Sequence, residues 1–284
     1  MNLRSALIAT DFSDAARFAA HRGAGIAREA GIGGELAHVI PATIPPALHV
    51  LAAARAQEAL GVAADECRRH GASFGTRLLT GSVAEELVSA ARAHDLVVAG
   101  ARGEDVMLYR FALGRTSVRL VQESERPVLI VKRAAESAYR RVVVGVDLSP
   151  ASRSAAILAA RLAPASHLEL VHAFEVPYES MLRRSGTDED TIERCRAEAN
   201  AAALASIASF SAALPIAPER LSTIVLRGYP PKVLLDRVEA AGAGLVVLGK
   251  SSAGAVQRFL VGSVALQVLE AAPCDVLIVP EERT

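Results

Sequence analysis

Ala6-Leu7-Ile8-Ala9-Thr10-Asp11-Phe12-Ser13-Asp14-Ala15-Ala16-Arg17-Phe18 and Val142-Val143-Val144-Gly145-Val146-Asp147-Leu148-Ser149-Pro150-Ala151-Ser152-Arg153-Ser154 are two versions of one pattern. In each, an apolar run ends at an aspartate, and a serine two positions later opens a segment with helical spacing. The likeness continues outward. Leu36-Ala37-His38-Val39-Ile40 matches Leu170-Val171-His172-Ala173-Phe174, Leu96-Val97-Val98-Ala99-Gly100 matches Leu245-Val246-Val247-Leu248-Gly249, and each copy closes on Val-Leu-Ile-Val, at 128–131 and 276–279. A repeat this long is a duplicated domain, and 284 residues suffice for two domains that each bury a core. The expected boundaries are 1–135 and 138–284, with the charged stretch Lys132 to Tyr139 as connector.

Within each copy, short Val/Ile/Leu runs alternate with long alanine-rich segments, the mark of parallel strands joined by crossover helices. The first copy has expected strands near 5–10, 34–40, 73–79, 95–99 and 127–132, with helices near 13–30, 46–70, 83–93 and 114–123. The second has strands near 141–146, 167–173, 221–227, 244–248 and 275–279, with helices near 150–162, 188–209, 230–240 and 261–271. The distance between copies grows by roughly a dozen residues after the second strand, so the second copy carries an insertion there, assigned to the polar stretch Arg183 to Glu193. Strands that are apolar throughout are covered on both faces, which gives an α/β doubly wound sheet. Such sheets take ligands beyond the carboxyl ends of their strands, where strand order reverses.

Composition excludes several classes. Thirty-one basic residues balance 31 acidic ones, so no net field steers the chain toward nucleic acid or an anionic membrane. Tryptophan is absent and aromatics are few, against a base-stacking platform. No apolar run is long enough to span a membrane, and the first residues lack the layout of a secretion signal, so a cytoplasmic location is expected. Cys67, Cys195 and Cys274 lie far apart with no Cys-x-x-Cys spacing, which encodes neither a disulfide framework nor a zinc site.

The chemistry-bearing residues sit where the strands end. Gly249-Lys250-Ser251-Ser252 follows the fourth strand of the second copy, and nine residues later Gly262-Ser263 opens a helix. Glycines, hydroxyls and the free N–H groups of a helix start suit a phosphate. The first copy has Gly100-Ala101-Arg102-Gly103, then ten residues, then Gly114-Arg115-Thr116, with a guanidinium in the hydroxyl position. Asp11 and Asp147 could accept from an adenine amine or a ribose hydroxyl, or could cap the following helix; Ser13 and Ser149 are the better-placed caps. His38 and His172 are read as satisfied, half-buried imidazoles, since neither has a nucleophile or metal-spaced partner in sequence. Gly244 to Ser251 fits the letters of a Walker A loop, but its interior is itself an apolar strand and cannot wrap phosphates.

Together these elements, from strand-Asp-x-Ser to Gly-x-x-Gly-like loop, Gly-Ser/Thr and closing Val-Leu-Ile-Val, resemble the universal stress protein family in its tandem form, over nearly the whole chain. The resemblance implies two five-stranded parallel sheets in the order 3-2-1-4-5, of the adenine nucleotide alpha hydrolase-like kind. It also implies that the fifth strands pair, here joining the halves into an intramolecular pseudo-dimer that could associate further as a homodimer. Family members that keep the glycine motif bind ATP. By that resemblance Asp147 and the backbone near Ala173 face base and ribose, while Gly249, Ser251, Ser252, Gly262 and Ser263 hold the phosphates of ATP, with magnesium. Ser252 stands where the family has its second glycine. The matching positions of the first half are Asp11, Val39, Gly100, Gly103, Gly114 and Thr116, and that site is expected to be degenerate. Occupancy of the site, rather than turnover, is then the expected signal in a stress response, since no general base and nucleophile pair is present. The alternatives are a ligand-free scaffold for protein partners and a slow ATPase.

Overall fold

The alternation of strand-forming and alanine-rich segments resolves, in the computed structural model, into two copies of one βα pattern; residues 3–101, 113–134, 137–176, 179–250 and 261–281 are described. The first half runs β1 (Ser5–Ala9), α1 (Asp14–Ala30), β2 (Gly33–Pro41), α2 (Pro46–Arg69), β3 (Phe74–Gly81), α3 (Val83–Ala91), β4 (Leu96–Gly100), α4 (Arg115–Glu123) and β5 (Val128–Val131). The second runs β6 (Arg141–Gly145), α5 (Pro150–Leu162), β7 (His167–Phe174), α6 (Glu179–Arg184), α7 (Glu189–Ala212), β8 (Leu221–Arg227), α8 (Pro230–Ala241), β9 (Leu245–Lys250), α9 (Ser263–Ala271) and β10 (Asp275–Pro280). A short 3-10 turn, Pro218–Arg220, precedes β8.

Among the described residues the strands form one ten-stranded sheet in the order β3-β2-β1-β4-β5-β10-β9-β6-β7-β8. Each half is therefore 3-2-1-4-5 in its own numbering, with parallel neighbours throughout. The fifth strands meet antiparallel, Leu129 opposite Leu277, which removes two apolar edges from solvent. Successive strand residues point to opposite faces, so Leu7 enters one apolar cluster and Ile8 the other, both fully buried. Burying each such side chain contributes about 1.5–3 kcal/mol.

The insertion lies earlier than the sequence suggested. The link from β2 to α2 is residues 42–45, whereas that from β7 to α7 is residues 175–188 and includes α6. Residues 189–193 belong instead to the first turns of α7, a helix as long as α2. A second, smaller extension, 213–220 against 70–73, precedes β8. Glu179 anchors α6: its carboxylate accepts from Arg196 of α7 and from Arg227 of β8. These cations, Arg196 foremost, hold its pKa down to about 2.

The seam between halves is polar at its margins. Asp275, nearly fully buried at the start of β10, accepts from Tyr139 Oη (2.6 Å), Arg22 Nε (3.2 Å) and the Lys132 amide (2.8 Å). The Arg22 guanidinium also lies 4.1 Å over the Tyr139 ring and donates to the Ser137 carbonyl. Two lysines then cross the seam. Lys132 Nζ donates to the carbonyls of Glu270 and Ala272 at the end of α9, and Lys250 Nζ to those of Gln122 and Ser124 at the end of α4. Each half thus sends an ammonium to the negative end of the other half's last helix.

Candidate functional site

The parallel order places the ends of β6, β7 and β9 side by side, with β6 between the other two. Strand order reverses at β6, because β7 lies on one side and β9 on the other; sheets of this kind take their ligands in the crevice at such a point. The main chain continues β6 by one further bond, the Val146 N–H to the Val171 carbonyl, 2.9 Å. Asp147 follows, exposed at the strand tip.

The Asp-x-Ser turn has a definite geometry, repeated in both halves. Ser149 Oγ accepts from the Ser152 N–H and caps α5, as Ser13 Oγ accepts from Ala16 N–H and caps α1. Asp147 Oδ1 accepts from both the N–H (3.0 Å) and the hydroxyl (2.5 Å) of Ser149. Asp11 Oδ1 does the same with Ser13, at 3.1 and 2.6 Å. Each serine is the cap and each aspartate orients the serine, which leaves Oδ2 of both carboxylates without a hydrogen-bond partner among the described residues. The residue between them is left-handed although it is not glycine, Phe12 at φ 66° and Leu148 at φ 65°. Such a backbone costs on the order of 1–3 kcal/mol and persists where surrounding structure imposes it. Sequence reading missed this turn; its signal is the Asp-x-Ser pair itself.

His38 and His172 are spent on this same turn. His38 Nδ1–H donates to the Thr10 carbonyl (2.9 Å), and His172 Nδ1–H to the Val146 carbonyl (2.7 Å). Each imidazole ties the second strand to the residue before the aspartate, which makes it a brace. Val39, buried, and Ala173, half-buried, come directly after these histidines on β2 and β7.

Gly249 is required by packing. A Cβ there would stand 2.7 Å from both the Ala151 carbonyl carbon and the Ser152 nitrogen, and at Gly100 it would stand 2.7 Å from Ala15. Both glycines therefore let the first turn of the half's first helix press on the fourth strand. That contact sets the Asp-x-Ser turn beside the end of β9 or β4, a role the sequence did not disclose.

Gly262 differs. Its φ of −55° suits any residue, and among the described residues a Cβ there would meet nothing within 4 Å. It precedes α9 without a side-chain cap, and among the described residues the N–H groups of Ser263, Val264 and Ala265 meet no acceptor. Its neighbour Val261 is buried in the same apolar cluster as Leu248, which precedes Gly249. β9 and β10 run parallel, so their crossover helix α9 starts beyond the carboxyl end of β9, the end that carries Gly249. Open space, unsatisfied donors and the positive end of a helix fit an anionic group such as phosphate.

The first half is built alike but closes differently. The Gly114 N–H donates to the Ala101 carbonyl (2.8 Å), and Ser117 Oγ donates to the Gly100 carbonyl (2.8 Å). Gly114 is buried, and Arg115 and Thr116 begin α4. Ser117 corresponds to Ala265, so this half ties down its helix start where the other does not. Ser251, Ser252 and Gly103 lie outside the described residues.

Lys250 points away from the crevice. It is buried, its ammonium is engaged with α4, and burial lowers its pKa to about 8. A Walker A lysine would reach phosphates, so the letter match is empty. The two buried thiols are passive as well: burial pushes Cys67 up to about 11 and Cys274 up to about 12. Among the described residues no group of His, Cys, Asp and Glu could hold a metal, and no helix is long and apolar enough to cross a membrane.

Comparison with known proteins agrees with this architecture. The model of the universal stress protein family matches residues 2–132 and again 138–280. A universal stress protein of Mycolicibacterium smegmatis is 32% identical over 216 residues, 74% of this chain and 70% of that one. One from Mycobacterium tuberculosis is 27% identical over 210 residues, 72% of this chain and 68% of that one. The crystal structure of a universal stress protein from Archaeoglobus fulgidus superposes with a TM-score of 0.72 over 98% of each chain, at 21% identity, a likeness of fold.

Proposed function

The chain belongs to the universal stress protein family, and from that premise we propose that its C-terminal half binds an adenine nucleotide, ATP with magnesium, at the mouth of β6, β7 and β9. In this reading Asp147, through Oδ2, and the backbone at Ala173 take the ribose and base. Gly249, Ser251, Ser252, Gly262 and Ser263 take the phosphates. The observation that carries the reading is the start of α9: without a side-chain cap at Gly262, open among the described residues where a side chain would stand, and set by the parallel crossover at the carboxyl end of β9. Each favourable charge at such a helix end contributes about 0.3–1 kcal/mol, so several donors together hold a polyphosphate without a basic cluster.

The N-terminal site, built on Asp11, Val39, Gly100, Gly103, Gly114 and Thr116, is proposed to be degenerate. Support comes from Arg115 in place of a hydroxyl and from the Gly114–Ala101 and Ser117–Gly100 bonds that use its polar groups internally. With His38 and His172 both engaged as braces, the proposed role is signalling by occupancy in a stress response, in the cytoplasm, without nucleic acid or membrane as partner. Native mass spectrometry of the purified protein tests this. The expected adduct is one adenine nucleotide per chain, removed by unfolding; a protein that carries none and gains none on incubation with Mg·ATP would reject the proposal.

A further inference from the structure

The fifth strands already pair within the chain, so further self-association needs another surface. α2 offers one. Leu48 and Leu51 are each 51% exposed, Val62 is 57% exposed and Val50 83%, all on one helix. Leu48, Leu51, Arg55, Glu58 and Val62 recur at intervals of three and four, which makes a single stripe on the solvent side of the helix. The opposite side, Ala56, Leu60, Ala64 and Cys67, is buried. Arg55 and Glu58 sit at the centre of the stripe, exposed, and among the described residues neither has an ion partner.

The second half supplies a control from within the same chain. α7 has the same length and the same place in its half. Where α2 has Leu48, Val50, Leu51 and Val62, α7 has Thr191, Glu193, Arg194 and Ala205. The fold therefore does not demand apolar residues at these positions; the exposed leucine of α7, Leu204, falls at the position of Gly61, beside the stripe.

We propose that the α2 stripe is an isologous interface with a second copy of this chain, the two α2 helices lying antiparallel. The part of the stripe from Leu51 to Val62 is complementary to itself in that orientation, while Leu48 falls opposite Asp65 at the rim. A two-fold axis passing between Ala56 and Gln57 sets Arg55 of one copy against Glu58 of the other, and the same axis sets Leu51 against Val62. Both charges then gain opposite partners and both apolar residues are covered. A parallel pairing in register sets Arg55 against Arg55 and Glu58 against Glu58. One helix face is small beside the roughly 1,200–2,000 Å² of a standard interface, so the dimer dissociates on dilution.

Sedimentation velocity of the full chain over a concentration series reads this directly. The wild type is expected to shift from monomer to dimer as concentration rises, reversibly, as a small interface does. Leu51→Asp abolishes the shift. Arg55→Glu alone and Glu58→Arg alone each weaken dimerisation about tenfold or more, since each homodimer then faces like charges. An equimolar mixture of the two variants restores it, because the heterodimer regains both opposite-charge pairs. Glu198→Arg on α7 changes nothing. A wild type that stays monomeric, a dimer indifferent to these changes, or single variants that fail to complement each other in the mixture would each overturn the proposal. Unchanged melting temperatures of the exposed-site variants separate loss of the interface from loss of the fold.

Discussion

Lys250 Nζ donates to the Ser124 carbonyl at 3.2 Å, so the residue that ends β9 in the C-terminal half caps α4 of the N-terminal half. Lys132 makes the reciprocal bond to Ala272 at 2.7 Å. The two come from unrelated positions in the repeat, since the position matching Lys250 is Ala101 and that matching Lys132 is Pro280. The seam is thus symmetric in what it satisfies, two helix ends, and asymmetric in how.

The seam lysine gives a pH signature. Burial lowers the Lys250 pKa to about 8 from 10.5, so between those values the unfolded chain binds a proton that the folded chain has released. Stability from this group therefore rises with pH across that window and is least below it. The urea midpoint of the wild type is expected to gain on that of Lys250→Met when both are moved from about pH 7 to about pH 10. A constant difference between the two proteins would contradict the assignment.

Asp275 is the buried anchor of the same seam. Asp275→Ala leaves the Arg22 guanidinium, itself mostly buried, without its carboxylate, and the expected loss is about 3–5 kcal/mol. Tyr139→Phe removes one hydrogen bond to a charged group and is expected to cost about 1.5–3 kcal/mol. Urea unfolding of both variants should rank them in that order.

The two glycines of the C-terminal site separate packing from binding. Gly249→Ala forces a Cβ to 2.7 Å from the backbone of α5 and is expected to lower stability by about 1–3 kcal/mol, as overpacking does. Gly262→Asp sets its side chain at an ordinary φ where no described residue lies within 4 Å, so thermal unfolding is expected to change little while nucleotide affinity falls. Calorimetric melts and titrations on both variants distinguish the roles.

Asp147→Asn keeps an oxygen to accept from Ser149 but removes the charge proposed to meet the ribose. ATP affinity is expected to fall about tenfold, the size of one charge-assisted hydrogen bond, with the fold intact by circular dichroism. Asp11→Asn should leave ATP affinity unchanged, because its half is proposed not to bind.

Much of the fold was legible because the central strands hold short apolar runs, such as residues 96–98, 128–131 and 142–144, and each copy repeats the Asp-x-Ser start. The insertion was misplaced because Glu189-Asp190-Thr191, the first turn of α7, is as polar as a loop although Asp188 caps it. What sequence could not disclose depends on partners distant in the chain. Lys250 looks like part of a phosphate loop until Gln122 and Ser124 are beside it, and the packing that requires a glycine at 249 shows only with α5 against it. The serine caps were readable, but the engagement of Asp147 with Ser149 and the bracing of Val146 by His172 required the turn itself.

The claim beneath the functional reading is that the start of α9 at Gly262 holds the phosphates of a nucleotide. Isothermal titration of the intact chain with Mg·ATP tests it most directly. One saturable site per chain, lost in Gly262→Asp and retained in Gly114→Asp, is the expected result; no binding, or an affinity that Gly262→Asp leaves unchanged, would contradict it.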